Sequence, residues 1–166
     1  KEVKNMYLDN GYKTSLRIYG LLTEKKEVYI YKEGKTFIFK TPYSKDDLSN
    51  KTHNSTYKDT KHEGYMKQSY YESTFPQIQK ICYEITEPFI KDKTLINNFQ
   101  ILGYDFILNK NLIPYLIEVN VYPNLHPPDT FFTNLNTRML KDFFTFYIEP
   151  KVNNKTPKQG DWILCK

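Results

Sequence analysis

The stretch "LGYDFILNKNLIPYLIEVN", residues 102–120, decides the fold. Two apolar runs, Leu102–Leu108 and Leu112–Val119, flank Asn109, Lys110 and Asn111, three polar residues of the kind that reverse a chain. Both runs are short and rich in Ile, Leu and aromatic side chains, as half-buried strands are. Together they read as a β-hairpin. Each strand carries one acid among apolar neighbours, Asp105 in the first and Glu118 in the second, and Asn120 follows two positions later. A carboxylate taken out of water without a partner is strongly disfavoured. These positions therefore face solvent, or something positive sits on them.

The turn length sets which acids share a face. A two-residue turn at Lys110–Asn111 puts Asp105 opposite Leu116 and diagonal to Glu118, with Asn120 continuing that face by period two. A three-residue turn moves Asp105 to the other face and disperses the group. In the first register two carboxylates and an amide oxygen converge at a strand end. Such hard oxygen donors suit Mg²⁺, which keeps several waters and takes one or two carboxylates together with phosphates. The alternative is that Asp105 and Glu118 pair with Lys or Arg side chains.

Working outward, "KTSLRIYGLLT", Lys13 to Thr23, alternates as a strand, with Leu16, Ile18 and Gly20 on one face and Ser15, Arg17 and Tyr19 on the other. "EVYIYKE" and "TFIFK" follow after polar turns and extend it into a β-meander. Residues 44–72 are polar with little periodicity and read as a long loop. Phe75, Ile78, Cys82, Ile85 and Phe89 recur at helical spacing, and Pro88 agrees with termination there. A second amphipathic helix is expected from Asn134 to Glu149, its apolar stripe Leu135, Met139, Leu140, Phe143 and Phe146. The organisation expected is an α+β domain over 1–149 with mainly antiparallel pairing, then a polar tail, 150–166, whose end "DWILCK" is a docked segment or a contact with another chain.

A chain of 166 residues suffices for one domain with a core, or for part of a larger unit; its start at Lys1 rather than at a Met favours the second. A hydrophobic content of 39% and aromatic content of 16% exclude a disordered composition. The net charge of +5 favours an acidic partner by steering. Arginine occurs only at Arg17 and Arg138, and base and phosphate recognition lean on Arg, so an acidic polypeptide suits this surface better than nucleic acid. Cys82 and Cys165 make no CxxC, and His53, His62 and His126 have no zinc-ligand spacing. No apolar run is long enough for a membrane span and no leader pattern is present, which makes a cytosolic setting the default expectation.

In order and spacing, "GYKTSLRIYGLLT", "VYIYKEG", "TPYS" and "LGYDFILNKNLIPYLIEVNVYPNL" resemble the second half of the tubulin–tyrosine ligase-like family, within the ATP-grasp superfamily. The resemblance implies the C-terminal part of an ATP-grasp catalytic unit. It implies an enzyme that uses ATP and Mg²⁺ to join a free amino acid (glutamate, glycine or tyrosine) to the acidic C-terminal tail of tubulin through an acyl-phosphate, acting at the cytoskeleton or in a cilium. By position, Asp105, Glu118 and Asn120 match the family's metal-binding residues. Arg17 matches a basic residue at the phosphates, Lys13 a nucleotide-contacting lysine, and Lys1 and Val3 the adenine hinge. The chain departs from the pattern too. Lys13-Thr14-Ser15 stands where the family has K-F-D, and Thr56-Tyr57 stands at its L-T-N motif. Basic residues expected in the meander are replaced by Phe37 and its neighbours. The departures keep two alternatives open: a catalytically degenerate microtubule-binding protein that retains the fold, and another ATP-grasp carboxylate–amine ligase.

Overall fold

The computed structural model describes residues 3–45, 60–65, 68–91, 99–125 and 130–166. In chain order these form β1 (Leu8–Asp9), β2 (Tyr12–Thr23), β3 (Val28–Tyr31), β4 (Lys35–Pro42), β5 (Thr60–Tyr65), α1 (Gln68–Lys91), β6 (Phe99–Leu108), β7 (Pro114–Asn120), α2 (Thr130–Phe143), a π-helical turn (Phe144–Ile148), α3 (Glu149–Asn153) and β8 (Trp162–Leu164). The eight strands make one antiparallel sheet. This is the α+β arrangement expected, consistent with an ATP-grasp-like C-terminal unit.

The axis is β2, twelve residues long. One edge pairs with β6 from Leu16 to Thr23. The other is shared: β4 takes Tyr12 to Arg17 and β3 takes Gly20 to Leu22. The expected meander is thus corrected: β4 pairs with β2 rather than with β3, so the Lys32–Gly34 turn passes the chain along one edge instead of closing a hairpin. Outward from β4 lies β5, inside the segment expected to be a loop; outward from β3 lies β8. The departures at Thr56-Tyr57 lie outside the described residues, as does Lys1.

The alternation of β2 sends its residues to two cores. Leu16, Ile18 and Leu22 meet Phe75, Ile78 and Cys82 of α1 together with Tyr104 and Phe106 of β6. Tyr19 and Leu21 meet Leu135, Met139 and Phe143 of α2, with Tyr31 and Trp162. Full burial of such side chains is worth about 1.5–3 kcal/mol each. A hydrogen bond of 2.6 Å between the Tyr104 and Thr86 hydroxyls fixes α1 on its face. The described end of the chain is docked: Trp162 is 1% exposed and pairs opposite Tyr31. Cys82 and Cys165 are free thiols buried on the α1 side, and burial pushes Cys165 up to about 12, so both are inert at neutral pH.

The helices run past their expected ends. Pro88 lies inside α1, which continues to Lys91. Pro150 lacks the amide hydrogen that an α-helix needs at that position. Here the helix widens just before it, with the Glu149 amide donating to the Phe144 carbonyl in an i→i−5 turn, and then resumes as α3.

Candidate active site

The β6–β7 hairpin departs from its expected register twice, and the two departures offset each other. The Asn109 amide donates to the Ile113 carbonyl at 3.0 Å and Leu112 has φ +60°, which makes a three-residue turn, Lys110 to Leu112. Taken alone, that turn would set Asp105 opposite Ile117 and send Glu118 to the other face. The ladder then slips by one residue between Phe106 and Asp105, leaving Ile117 as the extra residue of a bulge, and Asp105 comes to lie opposite Glu118. The expected cluster forms by this different route. Asn120 Nδ2 donates to Asp105 Oδ2 at 3.1 Å and to Glu118 Oε1 at 3.0 Å.

Arg17 lies directly across from Asp105 on the other side of β6. Its Nε and Nη2 donate to the two carboxylate oxygens at 2.7 and 2.6 Å, a bidentate pair with each side chain 18% exposed. The cation-paired alternative therefore holds for Asp105. Among the described residues Glu118 has no cation within 4 Å; its partner is Asn120. Burial pushes the Asp105 pKa up; Arg17 opposes this, while the Glu118 carboxyl adds to it, and the net direction is upward. Glu118 is held below the usual range by hydrogen bonding with Asn120 and Asp105. A proton shared between the two carboxyls therefore sits more readily on Asp105, the more buried one. Burial works against the charge on Arg17, but the Asp105 contact outweighs it and the guanidinium stays protonated.

The walls follow from small residues and the loop after β7. Gly103 precedes Asp105 on the same face. A Cβ there would lie 3.0 Å from Pro123 and 3.6 Å from Arg17 Cδ and Nε, so glycine lets the 121–125 loop and the guanidinium close over β6. That loop is pinned by Gln100 Nε2 donating to the Val121 carbonyl, the Tyr19 hydroxyl to the Asn124 carbonyl at 3.4 Å, and Asn136 Nδ2 to the Leu125 carbonyl at 2.7 Å. The face stays open toward the start of β2. Lys13 is there, four residues and about 13 Å from Arg17 along the strand. Its ammonium lies 4.9 Å from the Phe39 ring centroid, and burial lowers its pKa. Ser15 stands between them, opposite Phe37. Val3 is remote from this group and lines a cavity of about 570 Å³ with Lys4, Asn5, Met6, Leu8, Tyr43, Lys45 and Lys110.

The donor set is two carboxylates and an amide, and among the described residues no group of three or more His, Cys, Asp or Glu gathers to hold a metal. The cluster is not a protein-only cage. It fits a hard cation that keeps waters and shares phosphate oxygens, as Mg²⁺ does. One residue of this face was missed from sequence: Lys35, opposite Arg17 on β4. The alternation with Phe37 and Phe39 carried the signal, but only the β4–β2 register shows which face it belongs to.

The profile of the Tubulin-tyrosine ligase family matches residues 50–156, more than half of the chain. The chain belongs to that family. Among curated proteins it is similar to the probable tubulin polyglutamylase ttll-9 of Caenorhabditis elegans, with 28% identity over 74% of this chain and 36% of the relative. It is also similar to the probable alpha-tubulin polyglutamylase Ttll1 of Tetrahymena thermophila, with 25% identity over 95% of this chain and 46% of the relative. The chain spans less than half the length of these relatives.

Proposed function

We propose that this chain is the C-terminal part of an ATP-dependent ligase that joins an amino acid to the acidic tail of tubulin. The observation that carries the reading is the convergence of Arg17, Asp105, Glu118 and Asn120 on one sheet face. Asp105, Glu118 and Asn120 would hold Mg²⁺, which when bound neutralises phosphate charge. The chain's own residues do the rest. Arg17, oriented by its two bonds to Asp105, offers its remaining N–H groups to charge that develops on a phosphoryl or acyl-phosphate oxygen. Lys13 adds a cation further along the face, and Val3 belongs to the nucleotide side. No side chain serves as nucleophile: the acceptor carboxylate takes the phosphoryl group of ATP, and the amine of the free amino acid then displaces phosphate. Glutamate is the first amino acid to test, because both relatives are named as polyglutamylases. Action at the cytoskeleton follows from such a substrate, and this reading requires neither nucleic acid nor membrane.

The test uses the longer protein that contains this chain, with labelled glutamate, glycine and tyrosine in turn, ATP and microtubules. Glu118→Gln is expected to lower ligation at least a hundredfold, on the order of what loss of one transition-state charge contact costs, with its circular dichroism and melting temperature close to wild type. Ligation unchanged in Glu118→Gln would remove the site from the chemistry. Ser15 supports a second reading. It occupies the site face where the family pattern has an acid, and a protein without that acid would bind microtubules without modifying them. Microtubule co-sedimentation with no incorporation of any amino acid would favour that reading.

A further inference from the structure

Four charged side chains occupy one row across four neighbouring strands: Lys35 on β4, Arg17 on β2, Asp105 on β6 and Glu118 on β7. The order is cation, cation, anion, anion. The roles proposed above use three of them and leave out Lys35. Lys35 is 5% exposed, and lysine is seldom so buried without a specific reason. Its ammonium lies 5.1 Å from the ring centroid of Tyr19, which is itself fully buried on this face. Like charges directly opposite one another on a sheet repel. Asp105 relieves Arg17 only from the side away from Lys35. An anionic group arriving over Lys35 and Arg17 together removes that repulsion.

The sign pattern selects the ligand. A bare carboxylate satisfies the cationic half of the row and is repelled by the acidic half. A polyphosphate escorted by a divalent cation complements both, phosphate oxygens over Lys35 and Arg17 and the cation over Asp105 and Glu118. We propose that Lys35 is a substrate-contacting residue that binds, with Arg17, the phosphate oxygens of a metal–polyphosphate. The inference deepens the ligase reading and rests on it only for the identity of that polyphosphate as a nucleotide.

The experiment measures binding of magnesium tripolyphosphate and, separately, Mg·ATP to the longer protein by calorimetry, with thermal melts to report folding. Lys35→Met is expected to weaken tripolyphosphate binding by about ten- to a hundredfold, the loss of one charge-assisted contact. Lys35→Arg keeps most of the affinity. Lys110→Met, which removes the same charge from the exposed hairpin tip, leaves it unchanged. Should Lys35→Met fail to fold, Lys35→Gln removes the charge while keeping a polar end. Equal binding by wild type and the Lys35 variants overturns the proposal, as does a wild type that binds no tripolyphosphate, or a Lys110→Met loss as large as that of Lys35→Met. If tripolyphosphate binds through Lys35 while no Mg·ATP binding or ligation is found, the inference stands and the ligase reading falls.

Discussion

Gly20 and Gly103 lie on β2 and β6, and both make room for a neighbour rather than for a turn. Gly103 opens space on the site face, whereas Gly20 faces the α1 core. A Cβ at Gly20 would stand 2.4 Å from Cε2 of Tyr104, whose ring is fully buried and whose hydroxyl is bound to Thr86. In an unconstrained strand, replacing glycine by alanine would be favourable by about 0.5–1 kcal/mol. Here overpacking decides the sign, and Gly20→Ala is expected to destabilise by about 1–3 kcal/mol. Urea unfolding checks this; a variant as stable as wild type would show that the Tyr104 ring has somewhere to go. The site residues were legible one by one, because an acid in an apolar strand needs a reason, and Arg17 in mid-strand raised the same question. Lys35 was not, because a lysine beside two phenylalanines in a strand reads as an edge residue until the neighbouring strand is known.

At the scale of elements, the strands around Asp105 and Glu118 could be read from composition, while the spacing between them could not. Nothing in Leu116-Ile117-Glu118 marks a bulge: there is no glycine, and the slip is set by the pairing of two strands already anchored at both ends. Leu112 holds a left-handed conformation that favours glycine, and the compensation is tertiary, since its side chain packs against the α1 core. The strand at β5 lacked alternation, and the π-helical turn needed knowledge of what α2 packs on. That turn brings Tyr147 and Lys151 onto Glu24 of the β2–β3 connection, where both donate to its carboxylate. Partial burial pushes the Glu24 pKa up, but the Lys151 and Tyr147 contacts dominate and the net direction is down. A folded-state pKa below the unfolded one adds stability above the unfolded pKa of about 4.5, and this is lost as pH falls through the folded value. Glu24→Gln is therefore expected to lower stability at pH 7 by less than about 1 kcal/mol, the pair being part-exposed, and to flatten the acid limb. Urea titrations at pH 7 and pH 3 check this, and an equal wild-type-to-variant gap at both would contradict it.

For the molecule as a whole, two helical layers sandwich a sheet whose central strand feeds both cores, and the charge is carried mainly by lysine. The excess of +5 is spread over exposed side chains, so its pull on an acidic peptide is screened within about 10 Å at 0.1 M salt. Affinity for a glutamate-rich peptide is expected to fall several-fold between about 0.05 and 0.3 M NaCl, whereas magnesium tripolyphosphate, held at a partly buried row, loses less. Fluorescence anisotropy across that range measures both, and a peptide affinity indifferent to salt would rule out steering by surface charge. The two-sided pairing of β2 has one more outcome. Arg17 shares with Ile18 and Tyr19 a backbone hydrogen-bonded along both edges and wedged between two cores. A segment held in this way gives way only with global unfolding, not through local fluctuation. Opening and closing during a turnover cycle therefore fall to whatever chain arrives above this platform, while the platform itself keeps its charges fixed in space.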